Sequence, residues 1–243
     1  MLGVAFEGCA CKAAFHVGVA AALHEAKVPF GLTAGSSSGS IVATALAAGL
    51  APSLPSLWRS LGDRPLVSLA RVLHNRSPFD MSYLVADALR RTLGDGDLRQ
   101  APGEALVTAT RLRDLATLVL STREEADMVP AILGSCFFPI LYGRHVRLRG
   151  TLVVDGGLTD NLPLEPLVRR GCTRILAVVA SPHGTSNKTP IRRRWQPRVA
   201  GAKLTVLHPR RLLRVQSWDL SSMSMNEAID EGYEVGRLAA RDL

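Results

Sequence analysis

Short apolar runs alternate with longer stretches of small residues along the first fifty positions. Leu2–Phe6 is apolar throughout, which predicts a short strand buried on both faces. Ala13–Lys27 is rich in alanine and ends just before a proline, which predicts a helix. Phe30–Gly35 predicts a second short strand, and Ser37–Ala48 a helix of small residues. This alternation favours an α/β layered fold with a largely parallel sheet.

The same criteria predict further helices and strands downstream. Ser121 and Thr122 each have a glutamate three residues later, the pattern of a capping box, which predicts a helix near 124–133. The predicted helices are Leu54–Leu73 with breaks at its prolines, Met81–Leu93 capped by Asp80, and Asn226–Leu243. The predicted strands are Ala105–Thr110, Leu115–Leu120, Thr151–Val154 and Arg174–Ala180. We find no internal repeat and no long linker, so residues 1–243 are expected to form a single domain.

Composition and charge narrow the classes of partner. The chain has 243 residues, of which 47% are hydrophobic and 21% charged, so it can bury a sizeable core. Its net charge of +8 is concentrated between Ser181 and Trp218, where nine Lys/Arg and no acidic residue occur. These residues are Lys188, Arg192, Arg193, Arg194, Arg198, Lys203, Arg210, Arg211 and Arg214. We call 188–214 the basic segment; it predicts peripheral contact with anionic membrane or a solvated face. Nucleic acid is not expected, because no recognition motif accompanies it.

Cysteines and the N-terminus give expectations about compartment. The four cysteines are Cys9, Cys11, Cys136 and Cys172, with no zinc-ligand spacing, so small buried side chains are the better interpretation. No metal constellation is present. The first residues lack the basic and cleavage regions of a signal peptide, and the longest apolar stretch is too short to span a bilayer. Cytoplasmic residence, with or without peripheral membrane contact, is therefore the default expectation.

Gly35-Ser36-Ser37-Ser38-Gly39 is a G-x-S-x-G motif at the junction of a predicted strand and a predicted helix. A nucleophile on such a sharp turn often has positive φ, and glycines flank it because side chains there would collide. The helix dipole favours negative charge that develops at its N-terminus. A serine-rich turn would show the same letters, but the strand and helix on either side favour the motif. Only Ser37 has the paired glycines, so it is the candidate nucleophile.

Two other segments could supply the remaining groups of an acyl hydrolase. Gly8-Cys9-Ala10-Cys11-Lys12 lies between the first strand and the first helix, where backbone N–H groups can bind an oxyanion. Asp155-Gly156-Gly157 follows the predicted strand Thr151–Val154, so its carboxylate lies at the edge of the sheet. Taken alone, each segment also fits an ordinary turn.

Together, in this order, the three segments resemble the patatin-like phospholipase family. The family pattern is a glycine-rich loop with a basic residue, a Gly-x-Ser-x-Gly elbow, and Asp-Gly-Gly or Asp-Gly-Ala. Further likeness lies in three stretches, Phe15-His16-Val17-Gly18-Val19, Ser135-Cys136-Phe137-Phe138-Pro139 and Asp160-Asn161-Leu162-Pro163. The resemblance runs from about Gly3 to Pro182.

The resemblance implies a three-layer α/β/α sandwich and a lipid acyl hydrolase that needs no cofactor or calcium. It implies that Ser37 attacks the ester carbonyl, Asp155 accepts its proton without a histidine, and amides of 8–12 hold the oxyanion. Such a base requires a raised pKa, so we expect Asp155 to be desolvated in an apolar pocket. The family's loop usually holds more glycine than Gly8-Cys9-Ala10, and Ala13 stands where another glycine is frequent, so any positive φ at these positions would be strained.

Alternatives remain open at this stage. A Ser–Asp–His triad of the α/β-hydrolase type would use His183 or His208, which follow Asp155. A decayed hydrolase fold could serve as a non-catalytic lipid-binding module. Transfer of the acyl group to an acceptor other than water would use the same acyl-enzyme. The natural lipid, its acyl chain and the oligomeric state are not readable from the sequence.

Overall fold

The structure, a computed structural model, describes residues 1–61, 89–94, 97–138, 145–189, 192–217 and 221–243. Its helices are α1 (Ala14–Glu25), α2 (Ser38–Ala47), α3 (Leu54–Leu61), α4 (Val129–Ser135), α5 (Glu165–Arg169) and α6 (Ser222–Ala240). Its strands are β1 (Leu2–Phe6), β2 (Leu32–Ser36), β3 (Glu104–Arg111), β4 (Ala116–Ser121), β5 (Val146–Leu148), β6 (Thr151–Val154), β7 (Arg174–Val178), β8 (Ser186–Thr189), β9 (Arg192–Trp195) and β10 (Lys203–Leu207). Short 3-10 turns span Ala10–Ala13, Ala51–Ser53, Leu98–Gln100 and Gly156–Leu158.

The main sheet has eight strands in the order β10-β7-β1-β2-β3-β6-β5, with β4 also paired to β3. Strands β10, β7, β1, β2 and β3 run parallel to one another, whereas β4 and β6 pair antiparallel with β3. This confirms the predicted α/β fold with a largely parallel sheet. Strands β8 and β9 form a separate antiparallel hairpin.

Alternating residues of the central strands build a core on each face of the sheet. Val4 and Phe6 of β1 face a large cluster formed with α1, α2, α3 and α6. Ala5 between them faces a smaller cluster formed with α5 and with residues after β9. The alternation follows from the strand period of two. Both faces are covered, which is why β1 and β7 are apolar at nearly every position.

The pairing of β3 brings two chain segments together end to end. At Thr110, β3 pairs with β4 on one edge and with Val154 of β6 on the other. Strand β2 pairs with this same edge of β3 nearer the start of β3, and its last residue, Ser36, pairs with Thr108. Since β6 runs opposite to β2, the residues that follow Ser36 and Val154 meet beside β3. These residues are Ser37 and Asp155.

The predicted strands agree with the structure to within one or two residues, and β1 has the predicted bounds. The predicted helix over Ala13–Lys27 forms as α1 after a 3-10 turn. Residues 89–93 are helical, at the end of the predicted Met81–Leu93 helix, while Asp80 and 81–88 lie outside the described residues, as do 62–73 of the predicted Leu54–Leu73. The strands β5 and β10, the hairpin β8–β9 and the short helix α5 had no counterpart among the predictions.

The helix predicted near 124–133 is wrong in its start and its cap. It begins at Val129, because Ser121 ends β4 and the hydroxyl of Thr122 accepts the amide of Ala105 at 3.0 Å. Asp127 instead accepts the Val129 amide at 2.9 Å, and a proline occupies the next position of the helix. The aspartate and the proline were the informative signals.

No helix in the described part of the chain combines the length and the apolarity needed to cross a bilayer.

Candidate active site

Ser37 lies on a strained turn between β2 and α2. Its φ is 50° and its ψ is −130°, a conformation that few residues with a side chain adopt. A methyl group on Gly39 would lie 2.5 Å from the carbonyl oxygen of Phe6 and 2.6 Å from that of Glu7. A methyl group on Gly35 would lie 2.3 Å from the carbonyl oxygen of Gly39. The motif glycines are therefore required by close backbone approach, as expected for the sequence pattern.

The hydroxyl of Ser37 donates a hydrogen bond to Oδ2 of Asp155 at 2.7 Å. The other oxygen, Oδ1, accepts the amide of Gly157 at 2.7 Å. The backbone of Asp155 also makes two hydrogen bonds. Its amide donates to the carbonyl oxygen of Phe137 at 2.8 Å, and its carbonyl oxygen accepts the hydroxyl of Thr110 at 2.8 Å. Every polar group of Asp155 thus has a partner, and the carboxylate is aimed at Ser37.

Burial raises the pKa of Asp155 to about 6, against the opposing hydrogen bonds from Ser37 and Gly157. The residue is only 7% exposed. Phe137 and Val154 form a small apolar cluster beside it, with Leu158 packed against them. Gly156 and Gly157 lie in the 3-10 turn that follows. A carboxylate with this pKa is ionised at neutral pH yet is a better base than an ordinary aspartate.

The C-terminal end of α4 holds the turn from a second side. The hydroxyl of Ser135, which is fully buried, accepts the amide of Ser37 at 2.8 Å. Burial raises the pKa of the neighbouring Cys136 thiol, and the nearby Asp155 carboxylate raises it further. The thiol therefore stays neutral and does not compete with Ser37 as a nucleophile. The sequence placed both residues in a segment of family likeness without indicating these contacts; Pro139 of that segment lies outside the described residues.

The loop predicted as an oxyanion hole lies beside this turn, but most of its amides already have acceptors. Gly8 donates to Asn161 O at 3.0 Å, Cys11 to Ser217 O at 3.3 Å, and Lys12 to Cys9 O at 3.3 Å. The Cys9 amide donates to the Ser38 hydroxyl at 3.1 Å. Among the described residues, the Ala10 amide has no acceptor. The amide of Ala10 is thus available to a ligand, and the amide of Cys9 becomes available if the Ser38 hydroxyl moves away from it.

Ala10 is also the strained residue of this loop. Its φ is 53°, in the left-handed region that alanine adopts at a cost of roughly 1–2 kcal/mol. Backbone strain in this loop was expected from the sequence, because Ala10 stands in a loop where the family pattern has more glycine. The strained residue is thus also the residue of the loop whose amide has no acceptor among the described residues.

In the part of the chain that the structure describes, neither a histidine nor a cluster of metal-ligating side chains accompanies Ser37 and Asp155. Within the described residues, no histidine is hydrogen-bonded to Ser37 or Asp155. His16 is buried against Cys9, and burial lowers the pKa of His16 to about 3, so it is neutral. His208 contacts Pro209 O at 2.9 Å and His183 is exposed. In the same part of the chain, no group of three or more His, Cys, Asp or Glu side chains is arranged to hold a metal ion.

Known proteins are similar to this chain in sequence. The family model described as "Patatin-like phospholipase" matches residues 4–168. The rat protein named patatin-like phospholipase domain-containing protein 2 is 31% identical over 173 residues, which are 68% of this chain and 35% of that protein. The mouse protein named 1-acylglycerol-3-phosphate O-acyltransferase Pnpla3 is 27% identical over 172 residues, 66% of this chain and 40% of that protein. The chain thus spans little more than a third of the length of these relatives.

The fold also matches a solved structure. VipD from Legionella pneumophila superposes with a TM-score of 0.54 and 12% identity, covering 99% of this chain and 66% of that one. At this identity the likeness concerns the fold alone. The family model covers more than half of the chain, and it includes both the Ser37 turn and the Asp155 turn. The chain therefore belongs to the patatin-like phospholipase family.

Proposed function

We propose that this chain is a serine acyl hydrolase that cleaves carboxyl esters of lipids, of the phospholipase A, lysophospholipase or lipid esterase type. The observation that carries the proposal is the 2.7 Å hydrogen bond from the Ser37 hydroxyl to the buried Asp155 carboxylate. Family membership supports a lipid hydrolase or acyltransferase at the coarser level. An ester-bearing lipid is accordingly the substrate that we propose.

The proposed reaction uses three groups. Ser37 Oγ attacks the ester carbonyl carbon while its proton passes to Asp155 Oδ2. The carbonyl oxygen becomes an oxyanion, for which we propose the Ala10 and Cys9 amides as donors, with the α2 dipole adding to their field. Collapse expels the alcohol, which takes the proton from Asp155 and leaves an acyl-enzyme. Water, deprotonated by Asp155, then attacks the acyl-enzyme. Collapse releases the fatty acid and expels Ser37 Oγ, which takes the proton back from Asp155.

Covalent labelling by a fluorophosphonate probe tests the nucleophile. We expect the wild-type protein to be labelled at Ser37, and Ser37→Ala to abolish labelling, because the probe reacts only with an activated serine. Ser36→Ala is a matched control: Ser36 is buried, and its hydroxyl has no hydrogen-bond partner among the described residues. It should be labelled like wild type. Folded wild-type protein that resists labelling would favour the non-catalytic lipid-binding module.

The same assay separates the dyad from a triad. A triad enzyme should lose most of its labelling when His183 or His208 is changed to alanine, whereas a dyad enzyme tolerates both changes. Transfer to another acceptor is the second candidate, favoured by the acyltransferase name of the mouse relative. It would appear as acylated acceptor rather than free fatty acid among the products.

We further propose that the β8–β9 hairpin, rather than the whole basic segment, contacts anionic membrane. Arg211 and Arg214 lie 3.9 and 3.1 Å from Glu231 and Glu227 of α6, so part of the cationic charge is already compensated. In the hairpin, β9 consists of Arg192–Trp195 and pairs with the polar strand β8. Cytoplasmic residence stays a prediction.

Changing Arg192, Arg193 and Arg194 to glutamate should weaken binding to vesicles that contain anionic phospholipid at least about 100-fold, since each basic residue near such a surface contributes about 1 kcal/mol. Vesicle co-sedimentation measures the binding, and hydrolysis of a soluble ester should be unchanged. In the control variant, Arg210, Arg211 and Arg214 are changed to glutamate. This variant has the same net charge as the hairpin variant but should bind the vesicles more tightly than the hairpin variant does. Equal binding by the hairpin variant and wild type would contradict the proposal.

A further inference from the structure

Glu7 is a buried carboxylate that the proposed reaction does not use. It follows β1 directly, is 4% exposed, and lies in the loop before the proposed oxyanion donors. Burial raises its pKa, while the hydrogen bonds that it accepts act in the opposite direction. Burying a carboxylate costs free energy that its hydrogen bonds must offset, so its geometry is tightly defined.

Four donors surround this carboxylate, and they come from three separate parts of the chain. Oε1 accepts from the Ser186 hydroxyl at 2.7 Å, the Asn187 amide at 3.2 Å and the Asn161 side-chain amide at 3.4 Å. Oε2 accepts from the Ala180 amide at 2.9 Å. Glu7 therefore joins the end of β1 to the turn after Asp155, to the end of β7 and to the start of β8.

The same contacts tie the oxyanion loop to the Asp155 turn. Asn161 donates its side-chain amide to Glu7 and accepts the Gly8 amide at its carbonyl, 3.0 Å away. Gly8 leads directly to Cys9, whose amide reaches Ser38 in the first turn of α2. Asn161 follows the short turn in which Gly157 holds the Asp155 carboxylate. A shift of the Glu7 side chain would thus move the donors relative to both Ser37 and Asp155.

We infer that Glu7 is a positioning residue that fixes the Cys9 and Ala10 amides at the place where the oxyanion forms. This inference rests on the proposed function and adds a residue to it. Glu7 does not touch the reacting atoms; it acts through Asn161 and Gly8. Misplacing such donors lowers the rate of the chemical step more than it weakens substrate binding, because the oxyanion is absent from the bound ester and develops only in the tetrahedral intermediate and the transition states on either side of it.

Two substitutions of Glu7 separate positioning from simple loss of a buried group. In Glu7→Gln, the amide oxygen can keep the three contacts of Oε1, and only the Ala180 amide loses its acceptor. In Glu7→Ala, all four donors lose theirs. With a short soluble ester, we expect kcat to fall about 100-fold in Glu7→Ala and about 10-fold in Glu7→Gln, with KM changed less than about threefold.

The matched control is Thr122→Val. Thr122 is 1% exposed, and its hydroxyl accepts the buried Ala105 amide at 3.0 Å, at the opposite end of the sheet from Ser37. This change also leaves a buried N–H group without its acceptor, so it should lower the thermal midpoint but leave kcat within about threefold. Equal losses of kcat in Thr122→Val and Glu7→Ala would overturn the inference.

Amide hydrogen exchange gives a readout that does not need activity. In Glu7→Ala, which removes the acceptor of the Asn161 side chain, the Gly8 and Cys9 amides should exchange at least about tenfold faster than in wild type. Glu7→Gln should show a smaller increase, and the Ala105 amide should be unchanged in both variants. If Glu7→Ala does not fold, Glu7→Gln and Ser186→Ala carry the test. Wild-type exchange and wild-type kcat in those variants would overturn the inference. A wild-type protein that is inert towards esters and probe would refute the proposed function, whereas exchange at Gly8 and Cys9 would still report on Glu7.

Discussion

Replacing Asp155 by asparagine should keep the fold and lower the rate of ester hydrolysis by about four orders of magnitude. Asparagine has nearly the same shape. Its oxygen can still accept the Gly157 amide, and its NH₂ group can face Ser37 Oγ, so the two contacts of 2.7 Å can both persist. What is lost is the base, because an amide cannot take the proton of Ser37. Steady-state kinetics with a soluble ester measures the loss, and circular dichroism verifies the fold.

The pH dependence identifies the group responsible. Asp155 must be ionised to act as a base, and its pKa is raised to about 6, so kcat/KM of wild type should fall as the pH drops below about 6. Burial also raises the pKa of Asp160 to about 6, so that residue needs a control. Asp160→Asn should retain the acid limb of the profile. Loss of the limb in that variant would contradict the assignment of the base to Asp155.

Ionisation of Asp155, which activity requires, should lower the stability of the folded protein. The pKa of Asp155 in the folded protein, about 6, lies above its ordinary value of 3.8, so ionisation of this carboxyl disfavours folding. The cost is absent below about pH 4, grows up to about pH 6 and is constant above, at roughly 3 kcal/mol for this shift. Asp155→Asn should therefore be more stable than wild type at pH 8 and nearly equal to it at pH 4. Urea unfolding at the two pH values tests this difference.

The parts of the fold that the sequence predicted are those determined by local pattern. Leu2–Phe6 is a short apolar run that is followed by a glycine-containing loop, and these same residues form strand β1. The turn at Ser37 is equally local, because the glycines that it needs lie within two residues of it. By contrast, the hydroxyl of Thr122 accepts an amide from the neighbouring strand, which the capping-box pattern cannot reveal. Arg192–Trp195 is charged enough to predict a solvated segment, yet pairing with β8 makes it a strand.

The parts of the candidate site that the sequence missed depend on distant partners. Glu7 looks like an ordinary polar loop residue until Ser186, 179 positions away, supplies its shortest hydrogen bond. Ser135 reaches the Ser37 amide over 98 positions. The partnership of Ser37 and Asp155, 118 positions apart, was predicted through the family resemblance rather than by any local pattern. Spacing along the chain carries no information about such contacts, which arise only when the sheet is assembled.

Gly39→Ala should destabilise the protein by about 3 kcal/mol or more. The added methyl group would lie 2.5 and 2.6 Å from two backbone carbonyl oxygens, and neither can rotate away as a side chain could. For a chain of this size, that loss lowers the thermal midpoint by roughly 6–12 °C. The control is Gly150→Ala, where φ is +76° but nothing lies within 4 Å of the added methyl group. It should cost only about 1 kcal/mol, from backbone strain alone.

The functional loss in Gly39→Ala should exceed what its instability explains. The two oxygens that the methyl group would meet belong to Phe6 and Glu7, at the start of the loop that holds the proposed oxyanion donors. Relief of the overlap must separate α2 from this loop, and so move Ser37 away from the Cys9 and Ala10 amides. Probe labelling of the folded fraction, at a temperature well below its midpoint, should therefore slow by about 100-fold or more. Labelling at the wild-type rate would mean that the turn and the loop move independently, and would count against a reaction that uses both.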